Sequence, residues 1–226
     1  MFMAMILHKN GGKDGESSSC LVLNYLLLIM AKSGMLPIIY SVNQRKENSL
    51  NNVINFVCFQ IGWFAAVLSA ANNSPWTGVL IIALIIALHL FRSLNPINEL
   101  FLILFVGLLG GMLDSFFVFF EWISYPSGHI HENLTAYWII AMWMSFATTL
   151  NVSMAWLKKY KFLSILFGFI GGPLTYYAGY NLGGIYFLDF NSAMIALAFG
   201  WGAIIPPLLF LADKFNNSST IKTPLT

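Results

Sequence analysis

Six long apolar runs constrain this chain more than any other feature. They lie at about residues 53–71, 76–94, 97–122, 136–157, 162–180 and 190–211. Each approaches or exceeds the roughly 20 residues that a helix needs to cross bilayer hydrocarbon. The connections are short and rich in turn residues, as in "NNSPWT", "SLNPIN", "YPSGHIHEN" and "NLGG". Ser74 and Pro75 fit a cap and a first helical turn. Composition agrees: 58% of the 226 residues are apolar and 9% are charged, against roughly 25% charged in soluble domains. A soluble fold of this size could not cover its surface with so few charges. The expectation is an all-α, polytopic membrane protein, a bundle of six transmembrane helices. The net charge of +2 gives no reason to expect a nucleic-acid partner. The 16% aromatic content suits rings that settle at membrane interfaces.

Charge placement predicts the threading. Lys9, Lys13, Lys32, Arg45 and Lys46 precede the first run, and Arg92 lies between the second and third. Lys158, Lys159 and Lys161 lie between the fourth and fifth, and Lys214 and Lys222 follow the sixth. The other three connections carry neither Lys nor Arg. Six crossings with both termini cytoplasmic put every basic residue on one side, as the positive-inside rule requires. Residues 51–212 are then the membrane domain and 213–226 a cytoplasmic tail. Residues 1–50 are expected to be a poorly structured or interfacial extension. "GGKDGESSS" has linker composition, and "CLVLNYLLLIMA" is too short to span. It resembles a signal-peptide core without a clean cleavage site, and a later start at Met30 or Met35 is an alternative. Cys20 and Cys58 show no metal-ligand or redox spacing.

Within the third run stands one acid, Asp114, in "GLLGGMLDSFFVFF". A central Asp costs about 2.5–3.5 kcal/mol on insertion, while each Leu, Ile, Phe or Val returns about 0.3–0.6. The segment therefore still inserts, but the carboxylate must turn away from lipid. Gly107, Gly111, Asp114, Val118 and Glu121 fall on one helical face. Gly107 and Gly111 make that face a G-x-x-x-G surface that admits a close neighbour. At 1.5 Å per residue Asp114 lies about 6 Å outward of the segment centre. Trp143, Thr175 and Tyr176 fall at the same level, and at least one is expected to donate to it. Asp114 is then a structural pin, or a proton or ligand site.

A second polar layer is expected toward the cytoplasm. His89 and Asn151 lie about 7 Å inward of their helix centres, with Gln60 and Thr148 near the middle. Such groups commonly join helices, at about 0.6 kcal/mol each, or line a wet pocket between the first four helices. Gly171, Gly172 and Pro173 sit at the centre of the fifth run and predict a helix break or kink. Transporters use such breaks to bind solutes. His129, His131 and Glu132 share an outer loop, a weak arrangement for a metal. No metal site or cofactor is expected. No nucleophile elbow, phosphate loop or H-E-x-x-H is present.

Three blocks, "NFVCFQIGWFAAVLSAA" with "PWTG", "YWIIAMWMSFATTLNVSMAWL" and "GGPLTYYAGYNLG", carry a family resemblance. The most distinctive parts are "FATTLN" with its following Trp, and "GGPL-x-Y-x-AG"; Asp114 and Ser115 also fit. Over about residues 51–212 the chain resembles a bacterial group of small inner-membrane proteins, domain-of-unknown-function family 2878. The resemblance implies a multi-pass protein of the bacterial inner membrane and a fold of several helices. It implies no established activity and supplies no catalytic residues.

Three function classes follow. The first is binding or transport of a small or amphipathic solute in a pocket between helices, and it is favoured. Gln60, His89, Asp114, Trp143, Thr148, Asn151, Thr175 and Tyr176 are its candidate residues. The second is an intramembrane lipid-modifying enzyme with Asp114 and His89 as acid and base. Their estimated separation, about 13 Å along the normal, argues against proton transfer between them. The third is a non-catalytic accessory or scaffold protein of a membrane-lipid pathway. The expected partners are the bilayer and a small-molecule or lipid ligand.

Overall fold

The computed structural model describes residues 35–217, with side chains from 49 to 216. The chain divides into two units, Met1–Leu50 and Asn51–Thr226. Of the first, only the residues from 35 onward are described, as the start of a helix; the expectation for the earlier residues falls outside the described ones. The rest of the account concerns the second unit.

Among the described residues there are six α-helices: α1 (Met35–Ala71), α2 (Pro75–Arg92), α3 (Pro96–Phe119), α4 (Tyr137–Leu150), α5 (Lys161–Asn181) and α6 (Phe190–Asn217). The two-residue strands β1 (Ile123–Ser124) and β2 (Tyr186–Phe187) pair antiparallel. Proline opens α2 and α3, where its missing N–H costs nothing. Asp189 caps α6 by accepting from the Ser192 N–H at 3.1 Å. Hydrogen bonding to Ser192 also holds its carboxyl below the usual value. The fold is all-α, and five of its helices are long and apolar enough to cross a membrane.

The fourth run departs from its expected bounds. α4 has only 14 residues and then gives way to turns and a 3-10 segment, Ala155–Lys159. The reason lies in its surroundings. Eleven of its 14 residues are buried, more than in any lipid-length helix. Ser145 faces Gly62 of α1, and Met144, Trp143 and Ile140 face Gly107, Gly110 and Gly111 of α3. A helix walled by protein need not match the thickness of hydrocarbon. It still runs from one end of the bundle to the other. Its first N–H bonds Gly128 O, and beyond its last turn Asn151 reaches Glu99 at the start of α3. The outer helices show the opposite pattern. On α2, Leu80, Leu84, Leu88 and Phe91 recur at helical spacing and are all more than half exposed, a surface suited to lipid.

Two further expectations are corrected. α3 ends at Phe119, and Glu121 adopts a left-handed backbone (φ 56°) beyond it. Glu121 is therefore not on the Asp114 face; buried Gly110 and Phe117 are. α5 is helical through Gly171, Gly172 and Pro173, so of the break or kink expected there the unwound break is excluded. The glycines in this helix serve close packing instead. A Cβ on Gly168 would lie 2.3 Å from Trp201 O, and one on Gly172 would lie 2.5 Å from Trp201 Cγ.

Among the described side chains, Arg92 and Lys158 lie at one end of the bundle. Arg92 donates to Asn51 at 2.8 Å, Lys158 lies 3.5 Å from Asp213, and Asn98 donates to Phe215 O at 3.0 Å. These contacts join the end of α2 to α1, and tie the start of α3 and the 3-10 segment to the end of α6. The β1–β2 pair and the contact from Ser127 to Ala70 O lie at the opposite end.

Candidate functional site

The centre of the bundle is a sandwich of two indoles. Trp143 projects from α4 against Gly110 of α3, where a Cβ would come within 2.0 Å of the ring. Only glycine leaves room for that ring. On its other side Trp143 stacks on Trp201 of α6, with centroids 4.4 Å apart and planes at 25°. Trp201 in turn rests on Gly172 of α5. Four helices thus meet through two glycines and two rings.

Asp114 closes this arrangement from the side. It is fully buried and faces the bundle interior. Trp143 Nε1 donates to Oδ2, and the Tyr176 hydroxyl donates to Oδ1. The Tyr125 hydroxyl approaches Oδ1 at 3.4 Å, a long contact. Burial, followed by the neighbouring carboxylate, holds the Tyr125 phenol well above its ordinary value, so it remains a hydroxyl donor. Next to Asp114, Ser115 donates to Gly111 O at 2.7 Å and accepts from Thr135 N at 3.1 Å. That pair ties α3 to the segment leading into α4.

A cleft of about 430 Å³ opens in front of these rings. Its walls come from α1, α4 and α5, with Trp201 from α6. Nine of its fifteen lining residues are aromatic, and none is Lys, Arg, His, Asp or Glu. Gln60, Thr175 and Tyr176 supply polar groups. Trp201 Nε1 is buried without an acceptor among the described residues, leaving a spare donor in a cleft-lining side chain. Phe56, Phe64, Phe167 and Leu174 line the cleft and are largely exposed at its outer edge. The cleft therefore opens sideways, where a bilayer would lie. Gly171 also lines it, and nothing stands within 4 Å of a Cβ added there.

The expected residues separate into two groups. Gln60, Trp143, Thr175 and Tyr176 share the cleft, and Asp114 lies directly behind it. His89 and Asn151 are elsewhere, at the basic end. Both bind Glu99, His89 at 3.2 Å and Asn151 at 2.6 Å. Lys158 donates to Asn151 Oδ1 at 2.6 Å and continues the chain to Asp213. Thr148 bonds its own helix at Ser145 O and takes no part in the cleft. On α3, Glu99 and Asp114 are separated by about 22 Å of helical rise. The acid-base pairing of Asp114 with His89 is thus absent. Among the described residues no three His, Cys, Asp or Glu side chains gather as metal ligands; His129, His131 and Glu132 are exposed.

Sequence reasoning missed Glu99, Tyr125, Gly110 and Trp201. Glu99 had a signal, as an acid in the first turn of an apolar helix one tight turn from His89. Tyr125 had none, because it belongs to a connection that folds back into the bundle.

A family model described as "Protein of unknown function (DUF2878)" matches residues 52–207. No curated protein and no solved structure matches the chain.

Proposed function

The chain belongs to the DUF2878 family, and on that premise we propose that this membrane protein binds, and in doing so carries or presents, a small or amphipathic solute in the aromatic cleft. The observation that carries this reading is the cleft itself: about 430 Å³, apolar, with few polar groups and an opening at the lipid-facing perimeter. Small-molecule sites typically have 300–1,000 Å³ and this mixture of many apolar walls and few polar ones. The location belonging to this proposal is a bacterial inner membrane, with both termini cytoplasmic. The gathering of Arg92, Lys158 and Lys214 near one end supports that orientation.

Native mass spectrometry on gently purified protein tests the reading. The wild type should retain a small molecule or lipid. Gly171→Leu, which places a side chain in open space at the cleft wall, should fold and lose it. Retention of the same molecule by both proteins, or a wild type that neither retains nor takes up any apolar probe, overturns the proposal.

A further inference from the structure

We infer that the cleft selects a lipophilic cation, such as an organic ammonium, over an anion of the same shape. This rests on the binding reading above and adds the sign of charge to it. The first observation is an acid without a counter-ion. Asp114 is fully buried, and among the described residues its hydrogen-bond donors are the neutral Trp143, Tyr176 and Tyr125. The contacts His89–Glu99 and Lys158–Asp213 lie at the basic end, away from Asp114. Acids within membrane proteins ordinarily pair or neutralise. Here the described residues supply no cation to Asp114, and two of the rings that donate to it line the cleft.

The second observation is the wall between them. Trp143 and Tyr176 line the cleft and direct their N–H and O–H to the carboxylate. An aromatic ring presents its negative face to a cation. A ring whose polar hydrogen is given to a carboxylate is richer still in electron density. The acid therefore acts on the cleft in two ways, through its own field and through two rings that it polarises. Low-dielectric surroundings leave that field poorly screened.

The third observation is what the cleft lacks. No Lys, Arg or His lines it, so a phosphate or carboxylate ligand would meet no balancing charge. The unpaired Trp201 N–H would welcome an acceptor atom, but a single neutral dipole is outweighed by a full charge and several ring faces. Gln60 and Thr175 remain to bind polar substituents on the ligand.

Tetraphenylphosphonium and tetraphenylborate, nearly identical in shape and opposite in charge, test the inference on the full chain in nonionic detergent. Binding is read by tryptophan quenching. The phosphonium should bind at least about tenfold more tightly. Asp114→Asn, verified as folded by circular dichroism, should bring the two ions within about threefold of each other. Tyr176→Phe keeps the ring but frees the carboxylate, and should give an intermediate ratio. Gly171→Leu should abolish binding of both. If both ions bind the wild type equally and Gly171→Leu blocks both, the cleft reading stands and the charge inference fails. If neither ion binds, or Gly171→Leu changes nothing, the cleft reading itself fails. A preference that survives Asp114→Asn unchanged also overturns the inference.

Discussion

Gly110→Ala is the sharpest perturbation of the indole sandwich. An added Cβ would lie 2.0 Å from Trp143 Cδ2, 2.1 Å from Cγ and 2.5 Å from Cε2. Carbon atoms rest at about 3.5–4.0 Å, so the ring or the helix must retreat by about 1.5 Å. Trp143 cannot move freely, because Trp201 is stacked behind it and Gly172 of α5 backs Trp201. Retreat also pulls Trp143 Nε1 from Asp114. Overpacking costs about 1–3 kcal/mol, and a hydrogen bond to a charged acceptor is worth about 1.5–3. Alanine returns about 0.5–1 through its better helix propensity. The expected net loss is about 2–5 kcal/mol. Gly171→Ala is the internal control, because its Cβ meets nothing within 4 Å; it should be neutral or stabilising by up to about 1 kcal/mol. Reversible unfolding in mixed micelles, followed by circular dichroism, measures both. A loss below about 1 kcal/mol for Gly110→Ala, or an equal loss for Gly171→Ala, refutes the steric argument.

Three other outcomes follow from the same geometry. Asp114→Leu strands the Trp143 N–H and the Tyr176 hydroxyl in the core and should cost about 3 kcal/mol more than Asp114→Asn, which keeps one acceptor for the indole; equal melting of the two variants counts against the hydrogen-bond assignment. Glu99→Ala removes the partner of the His89 ring and the acceptor of the Asn151 amide N–H and should lower stability by about 2–4 kcal/mol, whereas Glu99→Gln should cost less than half of that in the same unfolding assay. With Cys20 and Cys58 replaced by Ser, a cysteine at His131 and one at Lys159 should react with an impermeant thiol reagent from opposite sides of intact cells and inverted vesicles. Labelling of both from one side removes the six-crossing orientation.

The helical fold is legible because run length alone reports the solvent. Five helices are long and apolar enough to cross a membrane. The fourth is where length misleads. "NVSMAWL" continues the apolar run, yet the helix stops at Leu150 because its environment is protein and Asn151 turns to Glu99 and Lys158. Hydropathy cannot distinguish an apolar residue facing lipid from one facing another helix, so it overestimates the end of a central helix.

The site shows a different limit. Depth along each helix places Trp143 and Tyr176 level with Asp114, and depth is recoverable by counting residues. Azimuth is not, because it depends on which neighbour each face meets. Gly171, Gly172 and Pro173 illustrate this. In sequence they are one weak point, but in the bundle Gly172 seats Trp201, Gly171 faces open space, and the helix passes through Pro173. Adjacent glycines therefore serve opposite ends, one filling a contact and the other leaving a void. Gly110 seats Trp143 in the same way that Gly172 seats Trp201. The cleft exists because the two rings are held back against these glycines while Gly171 adds no side chain at the opening. Its volume is thus set by positions where side chains are missing, and a pattern of hydrophobic residues cannot reveal it.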